Sequence, residues 1–405
     1  MVSAAHIRAL AEKKYEAVRD IRRHMHQYPE LSFEEYKTSE YICRVLDSLH
    51  IPYTKGFVKT GIVAHIEGKN PSKKVLALRA DMDALPITEM NQVAYKSKHE
   101  GVMHACGHDV HSASLLGTAM ILCELREHFE GTVKLIFQPG EEVLPGGASL
   151  MIKEHALKNP DATLAIAQHV FPSMETGKVG FRAGMYMAST DEIHITVKGK
   201  GGHAAMAGDY INPLVSAAEI ITELQQEFPY TIDADGVARN TANHIPTVLA
   251  FGKIEGKGAT NVIPDHVQMA GTFRTMDEAW RKASHEKIKE VVEGICAQHK
   301  TSADINIIKG YPFLTNNETL TNACMQAAKE YLGADHVEEL PIRMTAEDFA
   351  YISQEVPSCF YRLGTGNTSK GITSGVHTAT FDIDEDALKT GSGLMAWLTI
   401  TQLNS

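Results

Sequence analysis

The chain has 405 residues, 43% hydrophobic and 22% charged, with 31 Gly and 15 Pro. At roughly 150 residues per domain this predicts two to three globular domains, and it excludes a disulfide-stapled miniprotein, a collagen or a disordered chain. A net charge of −11, a pI near 6.0 and no run of Lys or Arg longer than a pair exclude nucleic acid and anionic lipid as expected partners.

The first helix is read from Val18, Ile21, Met25 and Tyr28, spaced by three and four residues and stopped by Pro29. Ser32 with Glu35 three residues later matches a capping box, followed by an apolar face of Ile42, Val45, Leu46 and Leu49. Short apolar runs then alternate with helical patterns: GIVAHIEG (61–68), VLALRA (75–80), a helix near 110–127, VKLIFQP (133–139), a helix near 147–157 and TLAIAQHV (163–170). This order predicts an α/β class with a mostly parallel central sheet and helices on both faces.

Near residue 186 the pattern changes, and Ile193, Ile195 and Val197 alternate with polar residues as in a strand with one wet face. A helix at 212–228, strands near 246–254 and 267–274 and a helix at 277–298 give the β-α-β-β-α order of a small α+β sandwich. After about residue 304 helices and buried strands such as SCFYRLG (358–364) return, with a last helix from about 385. The expected organisation is one domain over 1–185 and 304–405, interrupted by an inserted domain at 186–303. No stretch reaches the roughly 18 apolar residues of a spanning helix, and the first twenty residues lack a signal-peptide core, so the cytoplasm is the expected compartment, with no membrane partner.

Six cysteines occur without a C-x-x-C pair, which reads as buried thiols plus one functional candidate, Cys106. MHACGHDVH (103–111) puts Cys106 and His108 two apart ahead of a helix, and thiolate and imidazole suit borderline divalent metals. Alone, a buried Cys beside a His reads as packing too. QPGEE (138–142) sets Glu141 and Glu142 at the carboxyl end of a strand, where ligands of open α/β sheets bind. Buried carboxylates need a cation or several donors. Neighbours in extended backbone point in opposite directions, so one can hold a metal while the other faces its water; the bland alternative is a solvated acidic turn. His169 closes TLAIAQHV, Asp81 and Asp83 follow VLALRA, and His377 lies in the loop after SCFYRLG. Five strand ends thus carry metal-ligand chemistry on what the topology makes one rim.

Other motifs fail. His104 lies five residues after His99, off the spacing of a zincin H-E-x-x-H. Gly364-x-Gly366 lacks the third Gly of a nucleotide loop, and no G-x-S-x-G elbow is present.

The strings RRHMHQYPELSFEE, RADMDALP, HACGHDVH, QPGEE, GKGGHAA, TNVIPD, GTFRT, AEDFAY and HTATFDIDE, in this order along nearly the whole chain, closely resemble the M20 metallopeptidase family. The likeness is to its amidohydrolase branch of hippurate hydrolases, N-acyl-amino-acid deacylases and auxin-conjugate hydrolases. The resemblance implies a zinc-peptidase-like catalytic domain and an inserted ferredoxin-like lid that also forms a homodimer. It further implies two divalent metal ions per subunit, Zn2+ or Mn2+ first and Co2+ or Ni2+ next. The implied ligands are Cys106, bridging both ions, with His108, Glu142, His169 and His377. Glu141 would be general base and acid, His203 would stabilise the oxyanion, and Asn261 and Arg274 would hold the substrate carboxylate or backbone.

The implied reaction is amide hydrolysis of N-acyl amino acids. A dipeptidase or carboxypeptidase using the same metals is the close alternative, and a non-catalytic metal-binding protein the distant one. A metal-bound His usually gives its second N–H to a carboxylate, which makes Asp83 the candidate partner, with His104 and His111 as further ones. Two departures from the branch stand at the implied substrate pocket: Ala207 and Gly208 replace a Pro-His pair after His203, and Val143-Leu144-Pro145 replaces the usual glycines after Glu142.

Overall fold

The computed structural model describes residues 2–405. Two compact units divide the chain, one formed by residues 2–184, Thr315–Leu340 and Asp348–Ser405, the other by Met185–Leu314 and Pro341–Glu347. Among the described residues no helix is long and apolar enough to cross a membrane.

The first unit holds an eight-stranded sheet in the order Tyr53–Phe57, Gly61–Glu67, Thr132–Gln138, Val75–Asp81, Leu164–Glu175, Ser358–Gly366, Val179–Phe181, Val337–Glu339. The four central strands, from 132–138 to 358–366, are mutually parallel, while the pairings on either side of them include antiparallel ones. Three of the four are buried at every position, so both faces of the sheet are covered, and this is why they read as unbroken apolar runs. The helix His108–Glu124 packs against both Ala4–Gln27 and Ala387–Asn404, which leaves almost none of its surface exposed. Because the central strands run the same way, their carboxyl ends open along one edge of the sheet.

Two expectations change here. The strand carrying His169 does not end with it. It continues to Glu175 beside Ser358–Gly366, but its pairing with Val75–Asp81 is last seen at Arg79–Ala167, so His169 stands just beyond the end of one neighbour. The helix Tyr36–Ser48 lacks the predicted capping box, and its N-cap Glu35 makes no capping hydrogen bond. Glu30 instead takes the Thr38 N–H at 2.8 Å and its hydroxyl at 3.0 Å. Ser32 and Glu35 turn inward to partners far along the chain.

The second unit is a four-stranded antiparallel sheet in the order Thr247–Glu255, His266–Thr275, Asp191–Lys198, Ser302–Lys309. Pro213–Glu227 and Glu278–Gln298 pack on it over a core that includes Ile193, Ile195, Val197, Ile220, Phe273 and Ile288. Chain order and sheet order together make a ferredoxin-like sandwich. The unit extends past the sequence boundary near 304, because Ser302–Lys309 pairs residue by residue with Asp191–Lys198. That strand's side chains are exposed or half-buried throughout, and Ala303, Ile305 and Ile307, alternating with Asp304 and Asn306, form the face that packs on the core.

Candidate metal centre

The centre is assembled by one turn and three strand-linked segments of the first unit. Gly107 adopts φ 80° as N-cap of the helix His108–Glu124, a left-handed conformation open to glycine, and a Cβ there would strike Val170 and Phe381. This tight passage brings Cys106 and His108 to the same side. His377, itself at φ 61°, donates its backbone N–H to the Ala105 carbonyl at 2.8 Å, tying its loop to the same turn.

Cys106, His108 and His169 present ligand atoms within 4.8 Å of one another, and so do Cys106, Glu142 and His377. A third group within that reach joins His108, Glu141 and Glu142. All six residues expected around the metals in this unit therefore converge, and Cys106 belongs to both thiol-containing groups. Cys106 Sγ lies 3.5 Å from His169 Nε2. His377 Nε2 and His108 Nε2 lie 3.2 and 3.8 Å from Glu142 Oε1, close enough for charge attraction but without hydrogen-bond alignment.

The ring orientations follow from what the opposite nitrogens touch. His169 Nδ1 faces the Val170 carbonyl at 2.8 Å, an acceptor, so Nδ1 carries the proton and the Nε2 lone pair looks toward Cys106. His108 Nδ1 faces Asp83 Oδ1 at 3.1 Å, so its Nε2 is the inward atom, buried with no hydrogen-bond partner. Asp83 also accepts from Ser32 Oγ at 2.6 Å and from the Glu142 N–H at 3.0 Å, joining the His108 ring to the Glu142 backbone. The carboxylate that the sequence pairs with a ligand histidine, Asp83, is thus in contact with His108. His111 instead donates from Nδ1 to Asp81 and accepts the Val170 N–H at 2.9 Å, while both nitrogens of His104 lack a hydrogen-bond partner among the described residues.

Behind this layer Arg79 donates to Gln138 at 2.9 Å, to Asp81 at 2.6 Å and to Asp348 at 2.7 Å. Asp348 also accepts from Gln138 and from the Ala148 N–H, bracketing both ends of the turn that carries Glu141 and Glu142.

The electrostatics point one way. Burial, then the Glu142 charge, pushes the Cys106 thiol up. Burial works against a charged His108, yet Asp81, Cys106 and Asp83 hold its pKa well above the usual imidazole value. The neighbouring Cys106 and then Glu142 raise His377 to about 10. His169, by contrast, is held low by burial, Arg362 and His111. The pocket thus draws positive charge toward a thiol and a carboxylate, and its orphaned lone pairs point inward. A donor set of one thiol, three imidazoles and one carboxylate, two of its atoms buried without hydrogen-bond partners, fits borderline divalent cations.

The remaining expected residues lie in the second unit. His203 is exposed on the short strand Gly202–His203, which pairs with Val262–Ile263, and Asn261 precedes that partner, its carbonyl accepting the Ala204 N–H at 3.0 Å. Arg274 lies on His266–Thr275, where burial lowers its pKa and its guanidinium donates to the Met344 carbonyl at 3.2 Å. No carboxylate among the described residues pairs with it.

Residues 77–399 match the peptidase family M20/M25/M40. The N-acetylcysteine deacetylase of Bacillus subtilis is 36% identical over 95% of this chain and 97% of its own length. Thermostable carboxypeptidase 2 of Saccharolobus solfataricus is 37% identical over 94% of each chain. Among solved structures, the Bacillus subtilis YXEP protein, described as a dinuclear metal-binding peptidase of the M20 family, superposes with a TM-score of 0.80. It shares 32% identity, over 97% of this chain and 99% of its own. With the family match, full-length relatives and a convergent donor set together, the chain belongs to the M20 metallopeptidase family, in its amidohydrolase branch, and is a hydrolase.

Proposed function

We propose that this enzyme hydrolyses the amide bond of N-acyl amino acids, N-acetyl or N-aroyl, to a carboxylic acid and a free amino acid. Cys106, His108, Glu142, His169 and His377 would hold two divalent ions, with Cys106 shared between them. The single observation that carries the reading is that two donor groups meet at Cys106, with the Nε2 lone pairs of His108 and His169 directed inward. When bound, the ions lower the pKa of a water toward about 7 and polarise the scissile carbonyl.

The chain's own residues supply the rest. Asp83 fixes the His108 ring and the Glu142 backbone together, so the ligands do not reorganise as charge develops. Glu141, 7% exposed and within 4.8 Å of His108 and Glu142, takes the proton from the attacking water and returns it to the departing amine, which cannot leave as an anion.

His203 is assigned to oxyanion stabilisation, and Asn261 and Arg274 to the substrate carboxylate. Support for Arg274 is its half-buried guanidinium, offered to a backbone carbonyl rather than to an acid. Homodimerisation through the second unit is part of the same reading. Thr247–Glu255 is the last strand of its sheet, and Tyr230, Ile232 and Ile254 are exposed in this part of the unit.

The similarity to a carboxypeptidase keeps a peptidase reading in play, since the amide chemistry is the same. Turnover of N-acetyl and N-benzoyl amino acids against a dipeptide panel separates the two: preference for acylated substrates supports the proposal, and preference for dipeptides replaces it. In the same assays Glu141→Gln should keep its metal and lose about 10²–10⁴-fold in kcat, the usual scale of a general base. Full activity in that variant would refute the assignment.

A further inference from the structure

The Ser32–Glu35 pair reads in the sequence as a helix cap, and the structure gives it another use. Glu35 is fully buried, and its carboxylate collects three donors. Oε1 accepts the Phe33 N–H at 2.8 Å and the Gly140 N–H at 2.9 Å, and Oε2 accepts the Thr60 hydroxyl at 2.8 Å. Gly140 immediately precedes Glu141 and Glu142. It sits at φ 60° against the Phe33 ring, where a Cβ would have no room, and its carbonyl accepts the Gly147 N–H at 3.0 Å. Three residues before Glu35, Ser32 holds the Asp83 carboxylate that in turn receives the Glu142 N–H.

We infer that Glu35 is a positioning residue: through its bond to the Gly140 N–H, the segment Ser32–Glu35 fixes the backbone of the turn that aims Glu141 and Glu142. The inference rests on the proposed roles of those two glutamates. A left-handed glycine with no side chain is the softest point of such a turn, and a buried acceptor locks its one free donor. The hydrogen bond is the working part rather than the charge. Burial and the neighbouring Asp83 charge push Glu35 up to about 7, and a neutral carboxyl keeps an oxygen able to accept both backbone N–H groups. Glutamine preserves that oxygen and can turn its amide to the Thr60 hydroxyl. Leucine keeps the volume and loses the acceptor, and aspartate keeps the acid but withdraws it by one methylene.

The test compares Glu35→Gln, Glu35→Leu and Glu35→Asp in the full-length protein, with amide hydrogen exchange across 138–147 in metal-free protein, bound metal, and kcat and KM after metal loading. The inference expects faster exchange in that segment for the Leu and Asp variants and kcat lower by roughly tenfold or more, with KM little moved. Gln should restore exchange and keep kcat within about twofold of wild type. Wild-type exchange and turnover in the Asp variant would overturn it, and so would a Gln variant as impaired as the Asp one. If the Leu variant does not fold, the Asp and Gln pair still decides. Glu141→Gln run alongside separates the two levels: activity there sinks the proposed function, while the exchange data judge the turn on their own.

Discussion

Arg22 and Cys106 sit in two buried polar clusters of the first unit, joined through the consecutive residues His108 and Asp109. Around Arg22 the cluster carries its own cation. The guanidinium donates to Asp109 at 2.8 Å and to Asp382 at 3.0 Å, His26 approaches Asp109 at 2.8 Å, and Tyr95 donates to Asp382 at 2.8 Å. Despite burial, Arg22 and His26 hold Asp109 well below the usual carboxylate range. Around Cys106 the same residue types meet differently: the Arg79 guanidinium lies behind the donors on Asp81, and the ion-pair partners of Glu142 among the described residues are both imidazoles, His108 and His377. One cluster is electrically closed by the chain itself, and the other is arranged to be closed by something the chain binds. Two adjacent residues at the start of one helix therefore serve different ends, His108 facing a binding site and Asp109 a structural one.

The contrast is broken most severely at Cys106. Cys106→Ala removes the donor common to both groups, and the expected outcome is loss of bound metal together with loss of activity, read by elemental analysis of dialysed protein beside turnover. Retained metal with normal turnover would mean that the shared thiol is dispensable. On the closed side, Arg22→Met strands Asp109 and its neighbours without a cation, and unfolding in urea should cost about 3–5 kcal/mol less than in wild type. A change under about 1 kcal/mol would show that the carboxylates find other partners.

Next in magnitude is Asp83→Ala, which frees the His108 ring and the Glu142 N–H. Metal affinity should weaken by about 10–100-fold, measured by chelator competition, with the fold retained. Unchanged affinity would remove Asp83 from the account.

The last comparison takes a half-buried group that neither cluster closes, with an effect spread thinly over pH. Burial, then the Lys134 charge, pushes His65 down to about 4, and its Nε2 has no hydrogen-bond partner among the described residues. Since the unfolded chain takes up this proton near 6.5, it binds more protons than the folded one between about 6.5 and 4. The stability that neutral His65 permits is complete above that window and lost as pH falls through it, at no more than about 1.4 kcal/mol per pH unit. His65→Gln should flatten this part of the urea-midpoint profile relative to wild type. Parallel profiles would assign the acid sensitivity elsewhere.

The legible part of this molecule is the part with local signals. Unbroken apolar runs gave the central strands because both faces of the sheet are covered, and the Cys106–His108 and Glu141–Glu142 pairs stood out because each sits at the end of such a run. Ser302–Lys309 was cut by the boundary drawn near 304 although Ala303, Ile305 and Ile307 alternate, because its half-buried face is weaker than an unbroken apolar run and its pairing with Asp191–Lys198 is remote in sequence. Ser32 and Glu35 misled for the converse reason. Their spacing satisfies a local rule, but a buried donor 105 residues away at Gly140 outcompetes the helix terminus for the Glu35 carboxylate. Asp348 stood in the AEDFAY string, but its role was not legible, because it lies in contacts with Arg79, Gln138 and Ala148 from separate segments.

The most direct test of the central claim is a count of ions: wild-type protein, stripped by chelator and dialysed against Zn2+ or Mn2+, analysed for metal per chain and assayed with an N-acyl amino acid at each loading. The account predicts about two ions per chain, with activity absent in the stripped protein and returning as they bind. Full turnover by stripped protein, or saturation without any bound metal, would contradict it.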